Sequence, residues 1–180
     1  IQSQLQAFPK NQMSDYHLPT PTAPPVPTEE ESVSQFSEVR EHLSIDKDVE
    51  KTRFEELLEK LNDEQTEAFN KMNQSVIDTD GQCFFLNGAG GCGKTTVAKT
   101  LIHAARSRGQ IVIACVSSGI AATLLPKGQT AHSAFQIPIE NLSPESSCQI
   151  GGRSGKAELM RRVALIIWDE AFMADTSLWI

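Results

Sequence analysis

Apolar positions are irregular over the first forty-odd residues and become periodic after them. Beyond Asp46, Phe54, Leu57, Leu58 and Leu61 recur at helical spacing among Glu and Lys, which predicts an amphipathic helix. A second helix is predicted to open at Asn62, with Ala68, Phe69, Met72 and Val76 on one face. Asp80-Gly81 then turns the chain into Cys83-Phe84-Phe85-Leu86, a short buried strand. Helical spacing returns over Lys94–Arg108, with Val97, Leu101 and Ala105 facing inward and Gly109 as the stop. Ile111–Val116 reads as a second strand, and Ile120–Leu125 as a short helix ended by Pro126. Residues 126–153 read mostly as loop and Lys156–Arg162 as another short helix. Val163–Trp168 is apolar throughout, as a central parallel strand is. Strands alternating with helices predict an α/β fold, a parallel sheet with right-handed crossovers.

The segment ahead of Asp46 follows another rule. Six of the nine prolines fall between Pro9 and Pro27, and residues 18–31 read LPTPTAPPVPTEEE. Such a stretch is stiff, extended and too poor in apolar residues to bury a core. Residues 1–45 are therefore expected to be a disordered proline-rich, acidic tail, and residues 46–180 the folded domain.

Charge sharpens that division. The net charge of −7 is concentrated at the front: residues 1–60 hold 12 acids and 6 bases, residues 61–180 hold 11 and 10. The domain is thus nearly neutral, with no basic patch that would argue for nucleic acid on charge alone. The four cysteines show no C-x-x-C pair, which leaves zinc and thioredoxin-like chemistry unsupported, and their expected strand and loop positions suit a reducing compartment. No run approaches the roughly 18 apolar residues of a membrane span, so no membrane partner is expected.

The decisive chemistry lies between the first strand and the helix after it. Gly88-Ala89-Gly90-Gly91-Cys92-Gly93-Lys94-Thr95 fills the phosphate-loop pattern G-x-x-x-x-G-K-[ST]. Glycines let successive backbone N–H groups turn toward phosphate oxygens, and the helix start adds partial positive charge. In that pattern Lys94 reaches the β- and γ-phosphates and the Thr95 hydroxyl ligates Mg²⁺, with Thr96 completing the loop's contacts. A second carboxylate site is needed for the metal. Asp169 and Glu170 supply it at the end of the third strand, Asp169 for the magnesium shell and Glu170 as the base polarising the attacking water.

Three further features admit two readings each. Gln65 stands three residues after Asn62, where its amide either folds back on the helix cap or reads the edge of adenine. Ser117-Ser118-Gly119 opens a helix after the second strand, as an ordinary cap or as a clamp on a nucleic-acid phosphate. Thr130, His132 and Ser133 either touch DNA or form a plain polar loop.

Taken together, LNDEQTEAFNKM at 61–72, FFLNGAGGCGKTTV at 84–97, VSSGIAATLLPKGQTAHSAFQIPI at 116–139 and LIIWDEAFMAD at 165–175 resemble the petite integration frequency family of DNA helicases, Helitron helicases included. The resemblance spans residues 50–180 and implies a RecA-like fold using ATP and Mg²⁺. It implies that Gln65 reads adenine and that Ser117, Ser118, Gly119, Thr130, His132 and Ser133 line a single-strand path. It further implies 5′-to-3′ travel on single-stranded DNA, unwinding of forked duplexes, roles in repair, recombination and telomere maintenance, and a nuclear or mitochondrial location. The family's motor has two RecA-like halves. With Ile180 eleven residues past Asp169, this chain is expected to hold the nucleotide-binding part of the first half, without the facing domain's arginine fingers, and alone to bind ATP·Mg²⁺ rather than unwind. The competing expectations are another phosphate-loop enzyme, with residues 126–153 as its substrate lid, and a transposon-derived fragment that binds nucleotide without catalysis.

Overall fold

A computed structural model describes residues 4–7, 36–138 and 147–171, the first segment as backbone only. The proline run at 9–27 and the expected loop's middle, 139–146, lie outside the described residues. Strand β1 is Gln4–Ala7. Helices α1 (Ser37–Leu43), α2 (Lys47–Leu58) and α3 (Asp63–Asp78) follow, then strand β2 (Phe84–Asn87), helix α4 (Lys94–Ser107) and strand β3 (Ile111–Val116). After them come α5 (Gly119–Ala122), β4 (Gln129–Thr130), α6 (Ala131–Phe135), α7 (Gly155–Arg162) and β5 (Val163–Asp169).

Local chemistry explains where most of these begin. Asp46 caps α2, its carboxylate accepting from Asp48 N at 3.0 Å and Val49 N at 3.2 Å. Asn62 and Gln65 form a reciprocal capping box at the start of α3, and that helix stops at Thr79 in the left-handed region. Ser154 caps α7 by accepting from Ala157 N.

The sheet order is β4-β3-β5, all parallel. Val112, Ala114 and Val116 turn one face of β3 toward Ile102 and Ala105 of α4. Ile111, Ile113 and Cys115 face the other way, against Val39 of α1, Ala134 of α6 and Leu159 of α7. With helices on both faces, every residue of β3 is buried. The chain is therefore a RecA-like α/β fold, with an outer layer where Phe69 of α3 packs on Val97, Leu101 and Ala104 of α4.

Four sequence expectations are corrected. The central strand is β3, not Val163–Trp168: β5 flanks it, and Ile166 is 48% exposed. Two equally apolar six-residue runs do not reveal which is covered twice. β2 does not join the parallel sheet but pairs antiparallel with β1, Gln4 opposite Asn87. Order also begins before residue 46. Val39 is fully buried and packs with Leu159, a burial worth about 1.5–3 kcal/mol that a short helix of mostly polar residues concealed. Finally, residues 129–135 are not loop but β4 and α6, elements too short to show a period.

Candidate functional site

Six residues, Gly88–Gly93, carry the chain from β2 into α4. Gly91 and Gly93 stand at φ 75° and 86°, conformations that L side chains resist. Gly93 is the N-cap and offers no side chain, so the opening N–H groups of α4 are left for a ligand. Lys94 Nζ donates to Gly88 O at 2.7 Å and to Ala89 O at 2.9 Å, and it lies 3.9 Å from Cys92 Sγ. The ammonium thus lies inside the loop's own curl, held by carbonyls that a phosphate would replace. Thr96, half-buried on the same turn, accepts through its carbonyl from Thr100 Oγ1 at 2.9 Å.

The carboxylates arrive from the far end of the sheet. Asp169 ends β5, and Thr95 Oγ1 donates to its Oδ2 at 3.2 Å across 74 residues of chain. The other carboxylate oxygen accepts from Glu170 N at 3.0 Å. Glu170 is exposed at φ 55°, a costly conformation for a residue with a side chain, and its carbonyl accepts from Ser117 Oγ at 2.8 Å. The loop, Asp169 and the glutamate beside it are therefore one assembly.

The sequence pattern of PIF1-like helicases matches residues 60–179, from the α3 cap past this assembly. The chain belongs to the PIF1-like helicase family. One relative, the ATP-dependent DNA helicase PIF4 of Trypanosoma brucei brucei, is 28% identical over 113 residues. That match covers 61% of this chain and 13% of the relative's length.

In this PIF1-like chain Gln65 does more than either sequence reading foresaw. Its Oε1 accepts from Asn62 N at 3.0 Å, completing the cap, while its Nε2 donates to Cys92 O at 3.0 Å. The second bond joins α3 to the phosphate loop across 27 residues, and no short sequence window could have shown it. A small cleft beside it is lined by Gln65, Ala68, Leu86, Cys92, Lys94 and Val97.

The two segments suspected of touching nucleic acid lie together. Val116 is in register with Thr130 on one side and Asp169 on the other. Residues 117, 131 and 170 thus leave the sheet side by side at its C-terminal edge. Ser118 Oγ accepts from Ala121 N at 3.3 Å, and Thr130 Oγ1 from Ser133 N at 3.2 Å, so both serve as helix caps. Gly119 and Ser133 are exposed and His132 half-buried, its carbonyl accepting from Ile137 N at 3.0 Å. The Ser117 hydroxyl donates to Glu170 O.

Among the described residues no group of three or more His, Cys, Asp and Glu could hold a metal ion by itself. The oxygens of Thr95 and Asp169 nevertheless suit magnesium. Their 3.2 Å separation is near the roughly 3 Å edge of an octahedron with 2.1 Å bonds, and Mg²⁺ commonly takes its other ligands from phosphate and water. No helix among the described residues is long and apolar enough to cross a membrane.

Proposed function

We propose that this chain holds the ATP·Mg²⁺ site of a DNA helicase motor that travels 5′ to 3′ on single-stranded DNA and opens forked duplexes. The observation that carries the nucleotide half of this reading is the Thr95–Asp169 contact, which joins phosphate loop and carboxylate strand. Lys94 exchanges Gly88 O and Ala89 O for β- and γ-phosphate oxygens, and the freed loop closes on the triphosphate. Thr95 and Asp169 would hold Mg²⁺, which when bound would neutralise charge on the phosphates. Glu170, exposed beside Asp169, takes the proton of the attacking water. Stabilising charge on the γ-phosphate comes from the facing motor half. The DNA half rests on the family and on the joint sheet-edge position of Ser117–Gly119 and Thr130–Ser133. Polarity, action in repair, recombination or at telomeres, and a nuclear or mitochondrial location rest on the resemblance.

The test is Lys94→Ala, followed by calorimetric titration with ATP·Mg²⁺. Tight binding should be lost while the circular dichroism spectrum and Tm are kept. Unaltered affinity in a folded variant would refute the phosphate-loop assignment. In the full-length protein, ATP-driven strand displacement on a 5′-tailed fork, absent on a 3′-tailed one, tests the polarity.

A further inference from the structure

We infer that Gln65 positions the phosphate cradle itself, whatever base is bound, by holding the Cys92–Gly93 peptide so that its N–H faces the phosphates. This rests on the ATP-site reading and adds to it a role apart from adenine. The argument begins with the peptide plane. In a trans peptide the C=O and the following N–H point in opposite directions. Gln65 Nε2 draws Cys92 O toward α3, which turns the Gly93 N–H away from α3. That N–H has no protein partner among the described residues. It is the first of the Gly93-Lys94-Thr95 run that opens α4, where phosphate oxygens are bound.

Two observations show that the contact is built rather than incidental. The amide lies so close over Gly93 that a Cβ there would collide with Gln65 Nε2, so the site is shaped for glycine on one side and glutamine on the other. The other end of the carboxamide is anchored, since Oε1 accepts from the backbone N–H of Asn62 at 3.0 Å, whatever side chain stands at that position. A donor fixed to a rigid helix start imposes its geometry on the loop instead of following it. A carboxamide has two hydrogens and two lone pairs on oxygen, and these bonds use one of each. Adenine can therefore be read by the remaining pair without releasing the loop.

The experiment uses a ligand that has no base. Mg²⁺-tripolyphosphate and ATP·Mg²⁺ are titrated into the wild-type chain, Gln65→Met and Asn62→Ala, with Tm recorded for each. Methionine keeps the length of the side chain and removes the donor without adding charge. Asn62→Ala removes the side-chain cap but leaves the Gln65–Cys92 bond. We expect Gln65→Met to weaken tripolyphosphate roughly three- to tenfold, the worth of about one hydrogen bond. Asn62→Ala should lower Tm and leave that affinity unchanged. Equal tripolyphosphate binding by wild type and Gln65→Met overturns the inference, as does equal weakening by Asn62→Ala, which would make the effect one of helix stability. A wild-type chain that binds ATP but not tripolyphosphate also overturns it. Binding of neither overturns the nucleotide-site reading itself.

Discussion

Replacing Gly93 by alanine perturbs the point where α3, the phosphate loop and α4 meet. The backbone there stands at φ 86°, ψ 16°, and holding a residue with a Cβ in the left-handed region costs about 1–2 kcal/mol. The added methyl also meets Gln65 Nε2. That amide is the end of a flexible side chain, so it swings aside rather than straining the backbone. Doing so breaks its 3.0 Å bond to Cys92 O, a loss of about 0.5–1.5 kcal/mol. The summed cost in Gly93→Ala is about 1.5–3.5 kcal/mol. In a Gln65→Ala background the obstacle is already gone, and the same change should cost only the backbone strain. The double-mutant cycle should therefore show a coupling of about 1 kcal/mol, within the range of contacting pairs. Urea midpoints at unchanged m-value measure all four corners. If Gly93→Ala costs the same in both backgrounds, Gln65 does not pack on the loop, and the positioning argument fails with it.

Other consequences can be measured separately. ATP·Mg²⁺ should slow alkylation of half-buried Cys92, whose sulfur is 3.9 Å from Lys94 Nζ, while exposed Cys83 and Cys148 react equally with and without nucleotide. Cys115 should stay unlabelled, because burial pushes its thiol up to about 12; mass spectrometry of the labelled peptides distinguishes the four. Stability should carry an acid-side dependence from Glu158, a buried carboxylate on α7. The hydrogen bond from Arg162 (2.7 Å), with that from Arg161 (3.2 Å), holds its carboxyl below the ordinary 4.5, against the opposing effect of burial. A depressed folded value means that this contribution is complete above the unfolded value and is lost as pH falls through the folded one. Urea midpoints from pH 6 to 3 should thus fall more steeply for wild type than for Glu158→Gln, and parallel curves would count against the buried pair. Ser117→Ala should release Glu170 O and, in the full-length protein, lower kcat roughly fivefold with KM little changed. A rise in KM alone would place Ser117 on a ligand instead.

The parts of this site that could be read from residues alone are those whose chemistry dictates a residue type. Left-handed backbone at positions 91 and 93 requires glycine, and so the phosphate loop is visible as a string of letters. Caps act within three residues, so Asp46 and Asn62 mark α2 and α3 closely. Packing gave no comparable signal. Which apolar strand is covered on both faces depends on α1 and α7, and α1 itself is betrayed by little more than Val39 between charged neighbours. Of the bonds that make separate motifs into one site, two were hidden, because they cross 27 residues from Gln65 to Cys92 and 53 from Ser117 to Glu170. The third, across 74 residues from Thr95 to Asp169, joins two residues whose types already pointed to one shared metal. Each is a single hydrogen bond of modest energy. Their joint effect is larger than that energy suggests, since each fixes a different part of the site: the Cys92–Gly93 peptide, the strained backbone of Glu170 and the Asp169 carboxylate. Val116 ties these to the segments at Ser117–Gly119 and Thr130–Ser133, being in register with both Asp169 and Thr130. A shift of β5 would be felt by β3 and, through it, by β4. A row of three paired strands thus links Asp169 to Thr130 through Val116.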